Sequence, residues 1–336
     1  MKIKEFAELT YLNTIRLKSC TRYYLLLQNE KELVEISAYI KLKSLKFFTL
    51  GGGSNILLPE LFEGLVIHNK IQGVQKIAED DQFVFVKAGA GAIWDDFVKF
   101  CIDNAWFGLE NLSWIPGTVG ASPVQNISAY GVDVREFIDS LEVFDLATGK
   151  TFSLKEKDCG FAYRNSIFKG EPNLLVTSVV FRLRKIPRLN LSYRDVAEHF
   201  KGKNIEKVSA LDLRNLIISI RKQKLPDPAL FPNVGSFFHN PIVDKLLAEK
   251  LHKEHSIPIY EVDCNRAKLS AGWLIENSGL KGFRIGNVGV YDKHALVLLN
   301  YSSATQKEIL DFAQTIKGKV QSKFNVLLNI EPIVVN

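Results

Sequence analysis

IPGTVGASPVQNISAYG, residues 115–131, is the stretch that decides the fold of this chain, and we call it the cofactor segment. Pro116 and Gly117 turn the backbone sharply, and the residues that follow carry small side chains, so a ligand can approach the main chain closely. Gln125 and Asn126 then offer paired hydrogen-bond donors and acceptors. This pattern favours binding of a planar heterocycle against the backbone.

A second glycine-rich stretch, GGGSN at residues 51–55, follows the apolar run SLKFFTL and is called the glycine loop below. Three glycines allow close approach and present consecutive N–H groups to an anion. A glycine run is usually only a turn, so this stretch is weak evidence for a ligand site unless it is considered together with the cofactor segment.

Two other nucleotide-binding interpretations fail. GAGAIW at 89–94 follows a predicted strand as a Rossmann loop would, but Trp94 stands where the third glycine belongs. Gly149 and Lys150 imitate the end of a P-loop, yet Phe144 occupies the place of its first glycine. Packing and a hairpin turn explain these stretches better.

Two further segments carry reactive side chains: YRNSIF at 163–168, the arginine segment, and NVGSFFHNP at 233–241, the serine segment. The Arg164 guanidinium can bind a carboxylate with two parallel hydrogen bonds. Ser236 precedes two phenylalanines, and GSFF lacks the GxSxG spacing of a hydrolase nucleophile. Taken singly, a surface arginine, a turn serine and a surface glutamate at Glu331 are the commoner interpretations.

Together these segments resemble the UDP-N-acetylenolpyruvoylglucosamine reductase family from about Asn13 to Val334. The resemblance implies non-covalent FAD, NADPH as co-substrate, and reduction of an enolpyruvyl ether carried on UDP-N-acetylglucosamine. Ser236 would protonate C2, Arg164 would stabilise the developing negative charge, and Glu331 would assist as a protonated acid. The product, UDP-N-acetylmuramate, is a peptidoglycan precursor.

The resemblance also assigns binding residues. The cofactor-binding positions are Gly51, Gly52, Gly53, Ser54, Asn55, Ile115, Pro116, Gly117, Gly120, Ala121, Ser122, Gln125, Asn126 and Ala129. The substrate-binding positions are Tyr163, Tyr193, Lys224, Asn240 and His294. No metal site is expected.

The chain departs from the family pattern at two places. The family commonly has glycine where this chain has Ser128, and it usually has a glutamate where this chain has Asn329. A predicted hairpin at 140–154 and the segment 186–205 indicate the long form of the family. In that form Tyr193 belongs to a loop that closes over the nucleotide, although an ordinary loop aromatic is an equal alternative.

The fold class expected is α+β, with an FAD-binding fold of the vanillyl-alcohol oxidase type and a C-terminal α+β substrate domain. We expect an FAD-binding region at 1–185, a linker or closing loop at 186–208, a substrate domain at 209–325, and a strand at 326–336 that returns Glu331 to the flavin.

Periodicity predicts the individual elements. Strands are expected at 44–50, 83–89, 173–183, 287–299 and 326–335, and helices at 92–104, 209–224, 242–254, 269–278 and 304–323. In the helix at 209–224, Ser209 is the expected cap, and Leu211 is expected on the apolar side with Leu213.

Composition bounds the function classes. The 336 residues are 46% hydrophobic and 24% charged, which is typical of a soluble globular protein. No apolar run could span a bilayer and no signal peptide is evident, so we expect a cytoplasmic protein. We expect a monomer as well, although the sequence does not determine the oligomeric state. The four scattered cysteines indicate buried free thiols. A net charge of +6 without a basic patch suits an anionic small molecule rather than nucleic acid.

Two alternatives stay open. One is a sugar or alcohol oxidase of the same FAD fold, which steady peroxide production without the enolpyruvyl substrate would reveal. The other is a non-catalytic UDP-sugar or flavin-binding protein, which would fail to oxidise NADPH in the presence of substrate. The combination of Arg164, Ser236 and Glu331 argues against both.

Overall fold

A computed structural model describes residues 1–336 of the chain. It contains eight α-helices, which are α1 (Leu33–Lys43), α2 (Trp94–Asp103), α3 (Ile167–Gly170), α4 (Arg194–Phe200), α5 (Ala210–Lys224), α6 (Lys245–His255), α7 (Ala271–Asn277) and α8 (Gln306–Phe324). Short 3-10 turns connect several of them.

The strands are mostly short. They are β1 (Ile3–Glu8), β2 (Cys20–Leu27), β3 (Phe47–Leu50), β4 (Ile56–Leu57), β5 (Leu61–Asn69), β6 (Val74–Glu79), β7 (Phe83–Gly89), β8 (Ser128–Ala129), β9 (Val132–Asp133), β10 (Ile138–Asp145), β11 (Lys150–Lys155), β12 (Leu174–Arg184), β13 (Ile242–Asp244), β14 (Ile259–Glu261), β15 (Arg266–Leu269), β16 (Arg284–Ile285), β17 (Val288–Val290), β18 (Leu298–Asn300) and β19 (Ile333–Val334).

The chain forms two compact units with interleaved sequence. The first unit comprises residues 1–7, 21–52 and 63–221, and the second comprises 8–20, 53–62 and 222–336. The second unit therefore includes two short N-terminal stretches, whereas the segment 186–221 lies with the first. The break at residue 52 falls inside the glycine loop.

Two sheets build the first unit. One has four strands in the order β1-β2-β5-β3, and β3 and β5 run parallel with Leu50 opposite His68. The other has five strands in the order β11-β10-β12-β7-β6, with antiparallel neighbours. The glycine loop begins where β3 ends, at the carboxyl edge of the parallel pair.

Alternation decides the buried face of the five-stranded sheet. In β7 the side chains of Val84, Val86 and Ala88 are buried. They join the core that helix α2 covers, where Trp94 and Phe97 lie 6.0 Å apart between ring centroids and Phe97 lies 4.8 Å from Phe181. Burying these large rings is the main source of stability of this layer.

The second unit packs helices α6, α7 and α8 with small sheets. Their strand orders are β13-β15-β14 and β16-β17-β18, and β19 pairs in parallel with β4. Helix α8 begins at a capping box formed by Thr305 and Glu308. Its buried residues recur at helical spacing: Ile309, Phe312, Ala313, Ile316 and Val320.

Most predicted elements are present, with several differences. The predicted strand at 287–299 is divided into β17 and β18, and the first three residues of the predicted helix at 242–254 form β13. The segment 186–205 is not only a loop, since it contains α4. The region 326–335 is largely irregular, with only the two residues of β19 in a strand. Ser209 caps α5 through Asp212 as predicted, but Leu211 is half exposed and Arg214 is buried in its place. Cys101 and Cys159 are buried, whereas Cys264 is exposed.

The helices of this chain are each too short or too polar to cross a membrane.

Candidate active site

The glycine loop and the cofactor segment touch in the first unit. A Cβ atom on Gly51 would lie 2.9 Å from the Thr118 hydroxyl, and one on Gly52 would lie 2.7 Å from the Cα of Gly117. At Gly52 a side chain would collide with the backbone of Gly117, so two bare stretches of backbone meet there. Such a surface fits a ligand that is recognised by main-chain N–H groups, as a dinucleotide is.

The arginine segment packs on the same cofactor segment. Ser166 donates its hydroxyl hydrogen to the carbonyl of Val124 at 2.8 Å, and the Asn126 side-chain amide donates to the carbonyl of Ala162 at 3.2 Å. Ala162 and Asn165 pair with each other across a tight turn. Two predicted motifs, separated by about forty residues, are thereby brought together.

The turn presents Arg164 at its tip. This residue has a φ of +53°, a left-handed conformation that is uncommon outside glycine. Its guanidinium donates to the hydroxyl of Ser128 and, at 3.3 Å, to the Ser128 carbonyl. It also lies 5.5 Å from the centroid of the Tyr163 ring. Ser128, a departure from the family pattern, thus contacts the predicted catalytic arginine directly.

A second arginine, which the sequence analysis did not single out, adjoins the cofactor segment. The Nε of Arg221 donates to the carbonyl of Trp114 at 3.2 Å, and its side chain hydrogen-bonds the hydroxyl of Tyr130. Burial raises the pKa of Tyr130 to about 12, and burial lowers the pKa of Arg221. The charge of Arg164 also lowers the pKa of Arg221, so two guanidinium groups add positive potential here.

Arg221 could have been recognised from its spacing. It lies seven residues after Arg214 on α5, and both side chains face the same way because seven residues make about two helical turns. The buried helix face is otherwise apolar. Two arginines at this spacing therefore interrupt the apolar face and indicate a buried polar site.

An ion pair anchors the start of the cofactor segment. Arg214 binds Asp95 through two hydrogen bonds of 2.7 and 2.8 Å, and the same carboxylate accepts the backbone N–H of Trp114 at 2.5 Å. Burial opposes ionisation of Asp95, but the bonds from Arg214 and Trp114 lower its pKa on balance. Helices α2 and α5 are thereby tied to the residue before Ile115.

Tyr193, the predicted lid residue, precedes α4 and remains 44% exposed. Its ring contacts the ring of Tyr130 edge-on, with centroids 5.1 Å apart. Asn111 donates to the backbone carbonyls of both Tyr130 and Asn190. The segment around Tyr193 is therefore fastened to the end of the cofactor segment.

In the second unit, Ser236 and Glu331 lie on neighbouring stretches of backbone. Phe238 pairs with Ile330, and the N–H of Glu331 donates to the carbonyl of Phe237 at 2.9 Å. On its other side Ser236 pairs with Val297. The buried rings of Phe237 and Phe238 hold this segment in the core, while Ser236 and Glu331 keep partial exposure.

A histidine adjoins the glutamate. Nδ1 of His239 lies 3.5 Å from a carboxylate oxygen of Glu331, and both side chains are largely buried. The separation is longer than a good hydrogen bond but short enough for one group to sense the charge of the other. Residue 239 was not among the predicted site residues, although it lies in the serine segment.

Three predicted substrate-binding residues occupy the same unit. The side-chain oxygen of Asn240 accepts the backbone N–H of Ala271 at 2.9 Å, so its amide NH₂ remains to meet a ligand. Nδ1 of His294 accepts the N–H of Leu296 at 3.3 Å. Burial first, and then the charge of Lys224, lower the pKa of His294, which keeps the ring neutral near pH 7.

The predicted residues are thus divided between the two units. The first contains Gly51, Gly52, Ile115, Pro116, Gly117, Gly120, Ala121, Ser122, Gln125, Asn126, Ala129, Tyr163, Arg164 and Tyr193, and the second contains Gly53, Ser54, Asn55, Lys224, Ser236, Asn240, His294 and Glu331. Contacts within each unit join several of them. Convergence of Arg164 with Ser236 and Glu331 stays a prediction.

Comparison with known proteins shows which families this chain is similar to. Residues 21–155 match the FAD binding domain family, and residues 227–335 match the C-terminal domain of UDP-N-acetylenolpyruvoylglucosamine reductase. A reductase of that name from Dechloromonas aromatica is 44% identical over 86% of this chain and 87% of its own length. One from Amoebophilus asiaticus is 40% identical over 98% of both chains.

A solved structure shows the same fold. The reductase from Thermus caldophilus, called MurB, superposes with a TM-score of 0.69 and covers 100% of both chains at 21% identity. The predicted α+β class with an FAD-binding fold is therefore confirmed.

Proposed function

The chain belongs to the UDP-N-acetylenolpyruvoylglucosamine reductase family, and we propose that it reduces the enolpyruvyl ether of UDP-N-acetylglucosamine with electrons from NADPH. The product is UDP-N-acetylmuramate. The observation that supports the proposal is the backbone pairing of the two stretches that carry Ser236 and Glu331: the N–H of Glu331 donates to the carbonyl of Phe237, the residue after Ser236. An oxidase has no need of a proton donor and an acid arranged in this way.

FAD fits the residues that are present. The contact between the glycine loop and the cofactor segment offers backbone N–H groups for the diphosphate, and Gln125 and Asn126 lie in the stretch that would face the ring. When bound, FAD supplies a hydride carrier that NADPH reduces and that delivers hydride to C3 of the enolpyruvyl group.

The side chains of this chain carry out the remaining steps. Adding hydride to C3 leaves negative charge at C2, which spreads into the substrate carboxylate. Arg164 binds that carboxylate with a permanently charged, planar guanidinium. Glu331, when protonated, donates a hydrogen bond to the same charge.

Ser236 supplies the proton that C2 needs. A hydroxyl is a weak acid, but a carbanion is a strong base, so this transfer is downhill without an auxiliary base. Hydride at C3 and a proton at C2 together saturate the double bond. Tyr163, Tyr193, Lys224, Asn240 and His294 would bind the UDP-sugar, with Lys224 suited to its diphosphate.

The reaction belongs to the synthesis of peptidoglycan precursors, and through it to cell shape and division. A cytoplasmic location is compatible with the nucleotide-linked substrate and with NADPH, both of which are found in that compartment. We propose that the protein acts there as a monomer.

A direct assay tests the proposal. The purified protein, loaded with FAD, is mixed with NADPH and UDP-N-acetylglucosamine enolpyruvate, and NADPH absorbance and UDP-N-acetylmuramate are followed together. We expect one product molecule per NADPH oxidised, and no turnover with UDP-N-acetylglucosamine, which lacks the double bond. Equal peroxide formation with and without substrate would favour the oxidase, and absence of NADPH oxidation would favour a binding protein.

A further inference from the structure

A buried histidine adjoins the glycine loop and has no part in the reaction described above. His68 is the last residue but one of β5, in a run of buried residues that ends at Asn69, and it is only 5% exposed. It lies opposite Leu50 in the parallel pairing of β3 with β5, and Leu50 is the residue immediately before the glycine loop. Ligands of open sheets commonly bind at such carboxyl edges of parallel strands.

The ring of His68 has a partner on each side. The hydroxyl of Tyr24 lies 2.7 Å from Nδ1, and a backbone hydrogen bond joins the ring to Gly51. Burial lowers the pKa of His68 to about 4, so the ring is neutral near pH 7 and has one N–H. A carbonyl can only accept a hydrogen bond, so the ring N–H of His68 donates to the carbonyl of Gly51. Nδ1 then accepts a hydrogen bond from the hydroxyl of Tyr24.

Fixing the Gly51 carbonyl also fixes the peptide that follows. In a trans peptide the C=O and the N–H of the next residue point in opposite directions. A carbonyl held toward His68 therefore directs the N–H of Gly52 away from His68. Glycine is otherwise free to rotate this peptide, because it has no Cβ to restrict it.

We propose that His68 is a positioning residue for the cofactor: oriented by Tyr24, it holds the Gly51–Gly52 peptide so that the N–H of Gly52 is ready to bind the anionic diphosphate of FAD. The effect is preorganisation, because binding no longer has to order a glycine backbone. This inference depends on FAD binding and not on the reductase reaction.

The dissociation constant of FAD for the refolded apoprotein, measured by flavin fluorescence, provides the test. His68→Leu removes both hydrogen bonds and should weaken FAD binding about tenfold. His68→Gln places an amide N–H near the position of Nε2 and should remain within about threefold of the wild-type value. His68→Asn places its amide near Nδ1, can reach Tyr24 alone, and should lose nearly as much as leucine.

The difference in FAD affinity between His68→Gln and His68→Asn tests the bond to Gly51 even if His68→Leu impairs folding. Tyr24→Phe should weaken FAD binding about threefold, whereas Tyr23→Phe, its neighbour on β2, should leave it unchanged. Equal affinities for the glutamine and asparagine variants, or an unchanged affinity for leucine, would overturn the proposal. Because this experiment measures only FAD binding, its result does not depend on whether the chain is a reductase, which the assay described above tests separately.

Discussion

The two regions that carry the predicted site residues are built differently. In the first unit, the cofactor segment is held by buried or half-buried side chains whose polar groups are paired: Asp95 with Arg214, Tyr130 with Arg221, and Asn126 with the backbone carbonyl of Ala162. In the second unit, Ser236 and Glu331 are held by their backbones and by the buried Phe237 and Phe238. Their own side chains remain partly exposed.

We infer from this difference that the cofactor segment serves binding and that Ser236 and Glu331 serve the proposed chemistry. A surface that recognises a cofactor with main-chain groups must be rigid, and buried hydrogen bonds make it so because leaving any of them unpaired costs free energy. A side chain that exchanges a proton or hydrogen bond with substrate must remain accessible to it. Mutations of the paired groups that hold the cofactor segment should therefore affect stability or FAD binding, and mutations of Ser236 or Glu331 should affect turnover.

The ion pair in the first region should give the largest effect. Asp95→Asn leaves Arg214 buried without its counter-charge, and we expect a loss of about 3 kcal/mol in the free energy of unfolding measured with urea. The double variant Asp95→Asn/Arg214→Met removes the isolated charge and should recover most of that loss. A single variant within about 0.5 kcal/mol of wild type would contradict the role given to this pair.

Ser236→Ala should have the opposite profile. Substrate reduction should slow by at least ~10²-fold, the usual scale for losing a general acid, while reduction of bound FAD by NADPH is unchanged. Stopped-flow measurement of the two half-reactions separates them. Ser278→Ala is a matched control in the same unit, since that hydroxyl donates to the helical carbonyl of Leu274. Equal losses in both half-reactions would refute the proton-donor role of Ser236.

His68 should make the first region sensitive to acid. Its folded pKa of about 4 is below the unfolded value of 6.5, so the unfolded chain binds more protons between these values and stability falls as pH decreases through this window. Between pH 7 and pH 5 this group alone should cost the apoprotein about 2 kcal/mol. His68→Gln should lack that part of the loss. If urea unfolding shows the same decrease in stability from pH 7 to pH 5 in the wild type and in this variant, His68 is not the source of the acid sensitivity.

The smallest effect is expected at Ser128, which belongs to the cofactor segment and also contacts Arg164, the proposed catalytic arginine. Its hydroxyl and carbonyl both accept from Arg164, so Ser128→Ala loses one of the two bonds that orient the guanidinium. The substrate KM should rise about fivefold and kcat should stay within twofold, because the carboxylate is held less well in the ground state. Ser128→Gly, the residue common in the family, should behave like alanine. A fall in kcat at constant KM would place the contribution of Ser128 in the chemical step instead.

The sequence predicted the regular elements well where periodicity was strong. Strand β7 and the hairpin of β10 and β11 follow the alternation of apolar residues, and α5 and α8 follow helical spacing with their caps. The family resemblance identified the catalytic candidates and the FAD-binding class. Neither required knowledge of long-range contacts, because local pattern and motif identity were sufficient.

Sequence reasoning failed where partners are distant along the chain. Arg214 and Arg221 were not among the predicted site residues, and their partners Asp95, Trp114 and Tyr130 lie far from them along the chain. His68 looks like one polar residue in an apolar strand until Tyr24 and Gly51 flank its ring. Local spacing can mark such a residue, as it does for Arg214 and Arg221, but it does not name the partner that permits burial, because that partner is fixed by the fold.

By itself the amino-acid order determined which stretches are helix or strand, which glycines can expose the backbone, and which side chains could donate a proton or bind a carboxylate. These properties depend on neighbours within a few residues. Only the tertiary structure decided that residues 8–20 and 53–62 join the second unit, that Ser128 contacts Arg164, and that a neutral His68 lies beside the glycine loop. Contacts of this kind depend on chain segments dozens to hundreds of residues apart, and packing of the whole core selects them.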